Sequence, residues 1–177
     1  MKAREMMTAP AVACGPDADV AAVVQVMWEC DCGVVPVVDE GGRVTGMITD
    51  RDICIALATR GRPAGELRAG ELLNGRLFTC SPDDTVQTAL RTMRDAKVRR
   101  LAVVDASGAL QGILSINDVI RQAQKGRGGG SPVSYEETMG VLKALCAHVA
   151  EEASRPVIHS SEATARRKSG RAAPSAS

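Results

Sequence analysis

Two short motifs in this chain could do chemistry. Thr49-x-x-Asp52 and Ser115-x-x-Asp118 each set a hydroxyl three residues before a carboxylate. That spacing has the form of a helix N-cap with an acidic third residue, in which both side chains bond backbone N–H groups. A helix start is also where unpaired N–H groups and the positive dipole end can meet an anion such as phosphate. Arg99 and Arg100 add a basic pair at the head of an apolar run. Cys30-x-Cys32 could act in redox chemistry, but it is too small for a structural zinc site, which takes four ligands at recognisable spacing. The only histidines, His148 and His159, lie in the C-terminal region. There is no phosphate-binding P-loop and no serine or cysteine with a candidate base nearby. No catalytic residue, metal ligand or required cofactor is therefore assigned, and the chain is not expected to be an enzyme.

Both hydroxyl–carboxylate motifs sit at the same place in an internal repeat. Residues 6–54 align with residues 72–120 without a gap, and 11 of the 49 pairs are identical. Average composition would give roughly three or four. The identities include Cys14/Cys80, Pro16/Pro82, Met27/Met93, Asp39/Asp105, Gly42/Gly108, Gly46/Gly112 and Asp52/Asp118. A polar motif that recurs in both copies can make two related sites across a pseudo-twofold axis.

The elements that position these motifs follow from periodicity. In each copy a short apolar run (Ala11 to Cys14; Leu77 to Cys80) reads as a strand ending at a Pro-Asp turn. Val20, Val23, Val24 and Met27, then Val86, Ala89, Leu90 and Met93, sit at i, i+3, i+4 and i+7, the spacing of an amphipathic helix. Val34 to Val38 and Val44 to Ile48 flank a Gly41-Gly42 turn, and Leu101 to Val104 and Leu110 to Leu114 flank Ser107-Gly108. Each pair reads as a hairpin. A second helix begins near Thr49 or Ser115. The expected fold is α/β (α+β), two strand–helix–strand–strand–helix repeats with small mixed sheets covered by helices. Residues 1–60 make the first repeat, 61–70 a linker and 71–125 the second repeat. A glycine-rich connector (126–133) leads to a C-terminal helix (134–153), entered through a Ser134/Glu137 capping box. Its stripe is Met139, Leu142, Leu145, Cys146 and Val149. The small, polar, basic remainder (154–177) is expected to be disordered.

Composition narrows the partners. A net charge of +1 argues against a general phosphate-backbone binder. Trp28, Phe78 and Tyr135 are the only aromatic residues, too few to stack single-stranded bases. Nucleic acid is thus not expected as a partner, and no apolar run approaches a membrane span. Six cysteines without the dense pairing of a secreted scaffold suit a reducing cytoplasm, with Cys14 and Cys80 as packing residues.

With its strand order, Val-Val-Pro-Val-Val-Asp and Arg-Leu-Ala-Val-Val-Asp, and Gly46-Met-Ile-Thr-Asp-Arg-Asp52 with Gly112-Ile-Leu-Ser-Ile-Asn-Asp118, the chain resembles a tandem pair of cystathionine-β-synthase (CBS) domains, a Bateman module. The resemblance covers about residues 1–125. That family binds adenosine-containing ligands in clefts between the two repeats. By position it implies that Asp52 and Asp118 each hold a ribose through its two hydroxyls, and that Thr49 and Ser115 contact phosphate or ribose. It further implies that Val12, Gly33 and Val34 in one copy, and Phe78, Arg99 and Arg100 in the other, line the base and phosphates, so the two sites should differ. Ala102 stands where the first copy has Pro36.

The implied function is a stand-alone regulatory module. It would sense an adenine nucleotide or related adenosyl ligand and pass the change to a partner protein or a dimer mate. A homodimer is expected through the helical stripes. Two other readings fit the residues: a redox-responsive protein using Cys30 and Cys32, and a structural dimerisation module whose ligand sites have decayed.

Overall fold

The computed structural model describes residues 1–125 and 135–150. Residues Met1–Leu145 form one compact unit. The first repeat contains α1 (Val20–Glu29), β1 (Val34–Val38), β2 (Val44–Thr49) and α2 (Asp50–Arg60). The second contains β3 (Thr79–Cys80), α3 (Val86–Ala96), β4 (Arg100–Val104), β5 (Leu110–Ser115) and α4 (Ile116–Lys125), and α5 spans Tyr135–Ala150. The mixed α/β architecture is the one expected.

The hairpins match residue for residue. β1 and β2 pair antiparallel with Val34 opposite Thr49, and β4 and β5 pair with Arg100 opposite Ser115. Both shift register at the same place, between Val37/Val38 and between Val103/Val104. The duplicated aspartates build the turns. Asp39 Oδ1 accepts from the N–H groups of Gly41 and Arg43, both at 2.9 Å. Asp105 Oδ1 accepts from the N–H of Ser107 at 2.8 Å and of Ala109 at 3.1 Å. Gly42 and Gly108 adopt φ of +76° and +85° there, which explains why both copies keep glycine. The turns then pair with each other, Val44 N–H to Gly108 O at 3.1 Å and Leu110 N–H to Gly42 O at 3.2 Å, and so join the repeats.

The leading strand is shorter than its apolar run suggests. Leu77 to Cys80 contributes only Thr79–Cys80, parallel to β4, and Ala11 to Cys14 contributes a single bridge from Cys14 to Val37. Pro36 supplies a reason for the difference. In the second repeat the Ala102 N–H donates to Phe78 O at 3.4 Å; Pro36 has no N–H for the equivalent bond to Val12. Val12 is left half exposed.

The segments leading into the repeats are exchanged. Ala3 N–H bonds Asp84 O at 2.8 Å and Val86 N–H bonds Met1 O at 3.2 Å, so the N-terminus lies on the second repeat. Sixty-six residues on, Ala69 N–H bonds Ala18 O at 2.9 Å and Val20 N–H bonds Leu67 O at 3.0 Å, which lays residues 67–72 on the first. The two apolar cores follow this exchange. Ala3 and Met6 pack with Val86, Leu90, Met93, Leu101 and Val119; Leu67, Ala69 and Leu72 pack with Val20, Val23, Val37, Ile48 and Ile53. Gly46 and Gly112 are where these segments cross the sheets. A Cβ on Gly112 would stand 2.7 Å from Thr8 O, and one on Gly46 would stand 2.5 Å from Leu73 Cδ2. Close approach of the Thr8 backbone, rather than a special φ, accounts for glycine at Gly112, while at Gly46 the neighbour is the Leu73 side chain.

α5 places Thr138, Val141 and Leu145 in buried positions, with Leu142 partly buried and Cys146 exposed. Its apolar face is thus turned from the anticipated stripe: Val141 joins it and Cys146 leaves it. Val141 and Leu145 belong to the core of the second repeat. The Ser134/Glu137 capping box, the connector 126–133 and the tail 154–177 lie outside the described residues.

Candidate functional site

At the start of α2, Thr49 and Asp52 form a reciprocal capping box. Asp52 Oδ2 accepts from Thr49 N–H at 2.9 Å and from the Thr49 hydroxyl at 2.6 Å, and Thr49 Oγ1 accepts from Asp52 N–H at 3.2 Å. α4 begins identically. Asp118 Oδ2 accepts from Ser115 N–H at 2.9 Å and from its hydroxyl at 2.6 Å, while Ser115 Oγ accepts from Asp118 N–H at 3.2 Å. The helix-capping role of these residues is therefore realised. Capping consumes one carboxylate oxygen in each copy and leaves the other, Oδ1, for something else.

What Oδ1 meets differs between the copies. Asp118 Oδ1 accepts from Arg121 Nη2 at 2.7 Å; the Asp118 side chain is 9% exposed and that of Arg121 is 74% exposed. Asp52 Oδ1 has no hydrogen-bond partner among the described residues, and the position equivalent to Arg121 is Ile55. Asp52 and Ile55 line one shallow depression of about 150 Å³ with Ala56, Thr59, Arg60 and Leu72. A larger groove of about 300 Å³ runs between α3 and α5, bordered by Gln87, Leu90, Arg91, Arg94, Gly140 and Val141, and contains none of the candidate residues.

The other expected site residues are distributed around these helix starts. Val34 and Arg100 are the strand partners of Thr49 and Ser115, which puts each beside a cap. Arg100 reaches across the repeats: a Cβ on Gly33 would lie 3.8 Å from its Nη2 and 3.1 Å from Asp50 Oδ2. The arginine thus brings positive charge close to the start of α2. Arg99 is exposed, with its carbonyl accepting from Ile116 N–H at 3.0 Å. Phe78 is partly buried under the Arg76 guanidinium, whose carbon sits 5.9 Å from the ring centre. Sequence reasoning missed Asp50 and Arg121. Arg121 was open to discovery, since a residue one helical turn past a carboxylate shares its face.

The thiols divide by environment. Cys80 is 6% exposed, and burial, with the Asp84 carboxylate adding to it, pushes its pKa up to about 11. Burial also raises that of half-buried Cys14. Both stay protonated at neutral pH, as expected of packing residues. Cys30 is exposed, while Cys32 is half-buried with its thiol 3.5 Å from Val34 O. Among the described residues no group of three or more His, Cys, Asp or Glu could hold a metal ion, and no helix is long and apolar enough to cross a membrane.

Two like halves with exchanged lead segments, joined at their turns and carrying matched capped carboxylates, define a paired-repeat module. The chain belongs to the CBS domain family, whose model matches residues 3–59 and 69–125. Hypoxic response protein 1 of Mycobacterium tuberculosis is 32% identical over 119 residues, covering 67% of this chain and 82% of that one. Its crystal structure with two coordinated zinc ions superposes with a TM-score of 0.63 at 31% identity, covering 68% of this chain and 98% of that one. A CBS domain protein from Pyrobaculum aerophilum complexed with AMP has a TM-score of 0.63 at 22% identity, over 81% of this chain and 99% of that one. The CBS domain pair of protein MJ0100, in complex with 5′-methylthioadenosine and S-adenosyl-L-methionine, has a TM-score of 0.62 at 21% identity, over 68% and 94%.

Proposed function

We propose that this chain is a non-enzymatic regulatory module of the cytoplasm that binds adenine nucleotides or a related adenosyl ligand between its two CBS repeats. The observation that carries the reading is the pair of capped carboxylates, Asp52 and Asp118, at equivalent helix starts. Each can accept hydroxyl hydrogen bonds from a ribose, and bonds to a charged acceptor are stronger than neutral ones. Thr49 and Ser115 stand at N-termini suited to a phosphate, and Arg99 and Arg100 supply charge for it. Val12, Gly33, Val34 and Phe78 would bound the base. Fold relatives that hold AMP, S-adenosyl-L-methionine or 5′-methylthioadenosine support the ligand class. Binding would bias the arrangement of the repeats only through different affinities for two arrangements, and a dimer mate or regulated protein would receive the change.

A thermal-shift series with AMP, ADP, ATP and S-adenosylmethionine tests this. A ligand at a hundred times its Kd stabilises the folded state by about 2.7 kcal/mol, so at least one should raise the melting temperature by several degrees. No shift with any of them would overturn the reading.

Self-association belongs to the same proposal. α3 is already covered within the chain, since Val86, Leu90 and Met93 are all 2% exposed or less. The first repeat instead shows Val24, Trp28, Ile55 and Leu57 at its surface, with Trp28 85% exposed. A twofold dimer through α1 and α2 would cover them. Light scattering should give twice the chain mass at micromolar concentration; monomer alone contradicts the dimer.

A further inference from the structure

We propose that Arg121 makes the two clefts unequal, so that the Asp118 site discriminates against unphosphorylated adenosyl ligands more strongly than the Asp52 site does. This rests on the ribose-binding reading of the two aspartates and adds a selectivity that the family resemblance does not supply.

A count of acceptor capacity gives the reason. A carboxylate offers about four lone-pair positions. In Asp52 two are taken, both by Thr49, through its N–H and its hydroxyl. Two remain, enough for the two hydroxyls of a ribose. Asp118 has the same two bonds from Ser115 and a third from Arg121 at 2.7 Å. One position remains, one too few for a vicinal diol. A ribose can therefore be fully held at Asp118 only when the guanidinium leaves.

Leaving has a cost that depends on the ligand. Withdrawn from Asp118, Arg121 loses its anionic partner, and the carboxylate, nine-tenths buried, loses a cation. Adenosine offers the arginine no anionic partner in return. A ligand phosphate does, because guanidinium binds phosphate through paired N–H donors as readily as carboxylate. The Arg121 side chain is 74% exposed and can swing without disturbing the core. In the first repeat the same helical position is Ile55, which borders the depression beside Asp52 and makes no claim on its carboxylate. The difference between the sites is thus written in one residue pair, Ile55 and Arg121.

Calorimetric titration of the full chain with adenosine and with AMP reads this out. In Asp52→Ala, where only the Asp118 site should remain, AMP should bind roughly three- to ten-fold more tightly relative to adenosine than it does in Asp118→Ala. Adding Arg121→Ile to Asp52→Ala should remove that preference, mainly by strengthening adenosine binding. The converse variant, Ile55→Arg, should give the Asp52 site the same preference for AMP; because Ile55 also lies on the proposed dimer face, its mass by light scattering is recorded alongside. If neither Arg121→Ile nor Ile55→Arg changes the adenosine-to-AMP ratio, the selectivity proposal is wrong although ribose binding stands. If Asp52→Ala/Asp118→Ala still binds both ligands like the parent, the ribose reading itself fails.

Discussion

Leu67→Ala should destabilise the protein by about 2–5 kcal/mol, the usual loss when a fully buried leucine is truncated and a cavity remains. Leu67 lies in the stretch between the repeats, where a tether would tolerate almost any residue. It is nevertheless completely buried and packs in the first repeat's core with Val20, Val23, Val37 and Ile48. Its carbonyl also accepts the Val20 N–H at 3.0 Å, so the leucine fixes the start of α1 as well as filling space beneath it. Glu66→Ala, at an exposed neighbour, should change stability by less than about 0.5 kcal/mol. Urea unfolding of both variants checks the pair. A loss below about 1 kcal/mol for Leu67→Ala would show that residues 67–72 are not part of the core.

That prediction marks a boundary of what was legible in the sequence. The hairpins and amphipathic helices were readable because each answers to a local pattern: Val34 to Val38 and Val44 to Ile48 are apolar, β-branched runs on either side of a Gly-Gly turn, and Val86, Ala89, Leu90 and Met93 share one helical face. The exchange of lead segments was not, because Ala3 and Ala69 find partners in the opposite repeat. Nothing in a local pattern encodes which copy a segment crosses to. The identical pair Gly46 and Gly112 was a clue, since glycine in the interior of a strand can mark a close approach, here of the Leu73 side chain and of the Thr8 backbone. The extra length assigned to the leading strand has a similar origin, for an apolar run does not show that Pro36 lacks the N–H that would extend the pairing.

The candidate site was legible to the same degree. Thr49, Asp52, Ser115 and Asp118 were visible as motifs because capping geometry depends only on residues three apart, and the capping bonds are all present. The difference between the copies was harder to see. Arg121 looks like one more surface arginine until its nitrogen is found 2.7 Å from Asp118, and the approach of Arg100 to Gly33 and Asp50 of the first repeat appears only in three dimensions.

Asp52→Ala and Asp118→Ala should have the largest effects on binding. Losing hydrogen bonds to a charged acceptor costs about 1.5–3 kcal/mol, which lowers affinity at the affected site by roughly ten- to a hundred-fold or somewhat more. Each substitution should act on one site, because the two carboxylates belong to different repeats and share no partner. Each also removes the acceptor for a helix-start N–H, so a stability loss of about 1 kcal/mol should accompany the binding loss. Arg99→Ala or Arg100→Ala should weaken polyphosphate ligands more than adenosine and flatten the salt dependence, since these residues would contribute charge and not a ribose contact.

Calorimetric titration of AMP into the native chain and the two aspartate variants, with melting temperature recorded alongside, tests the central claim most directly. Ribose binding predicts that each variant loses one class of site by at least ten-fold while remaining folded. If both bind AMP as the native chain does and lose only thermal stability, Asp52 and Asp118 are helix caps and nothing more.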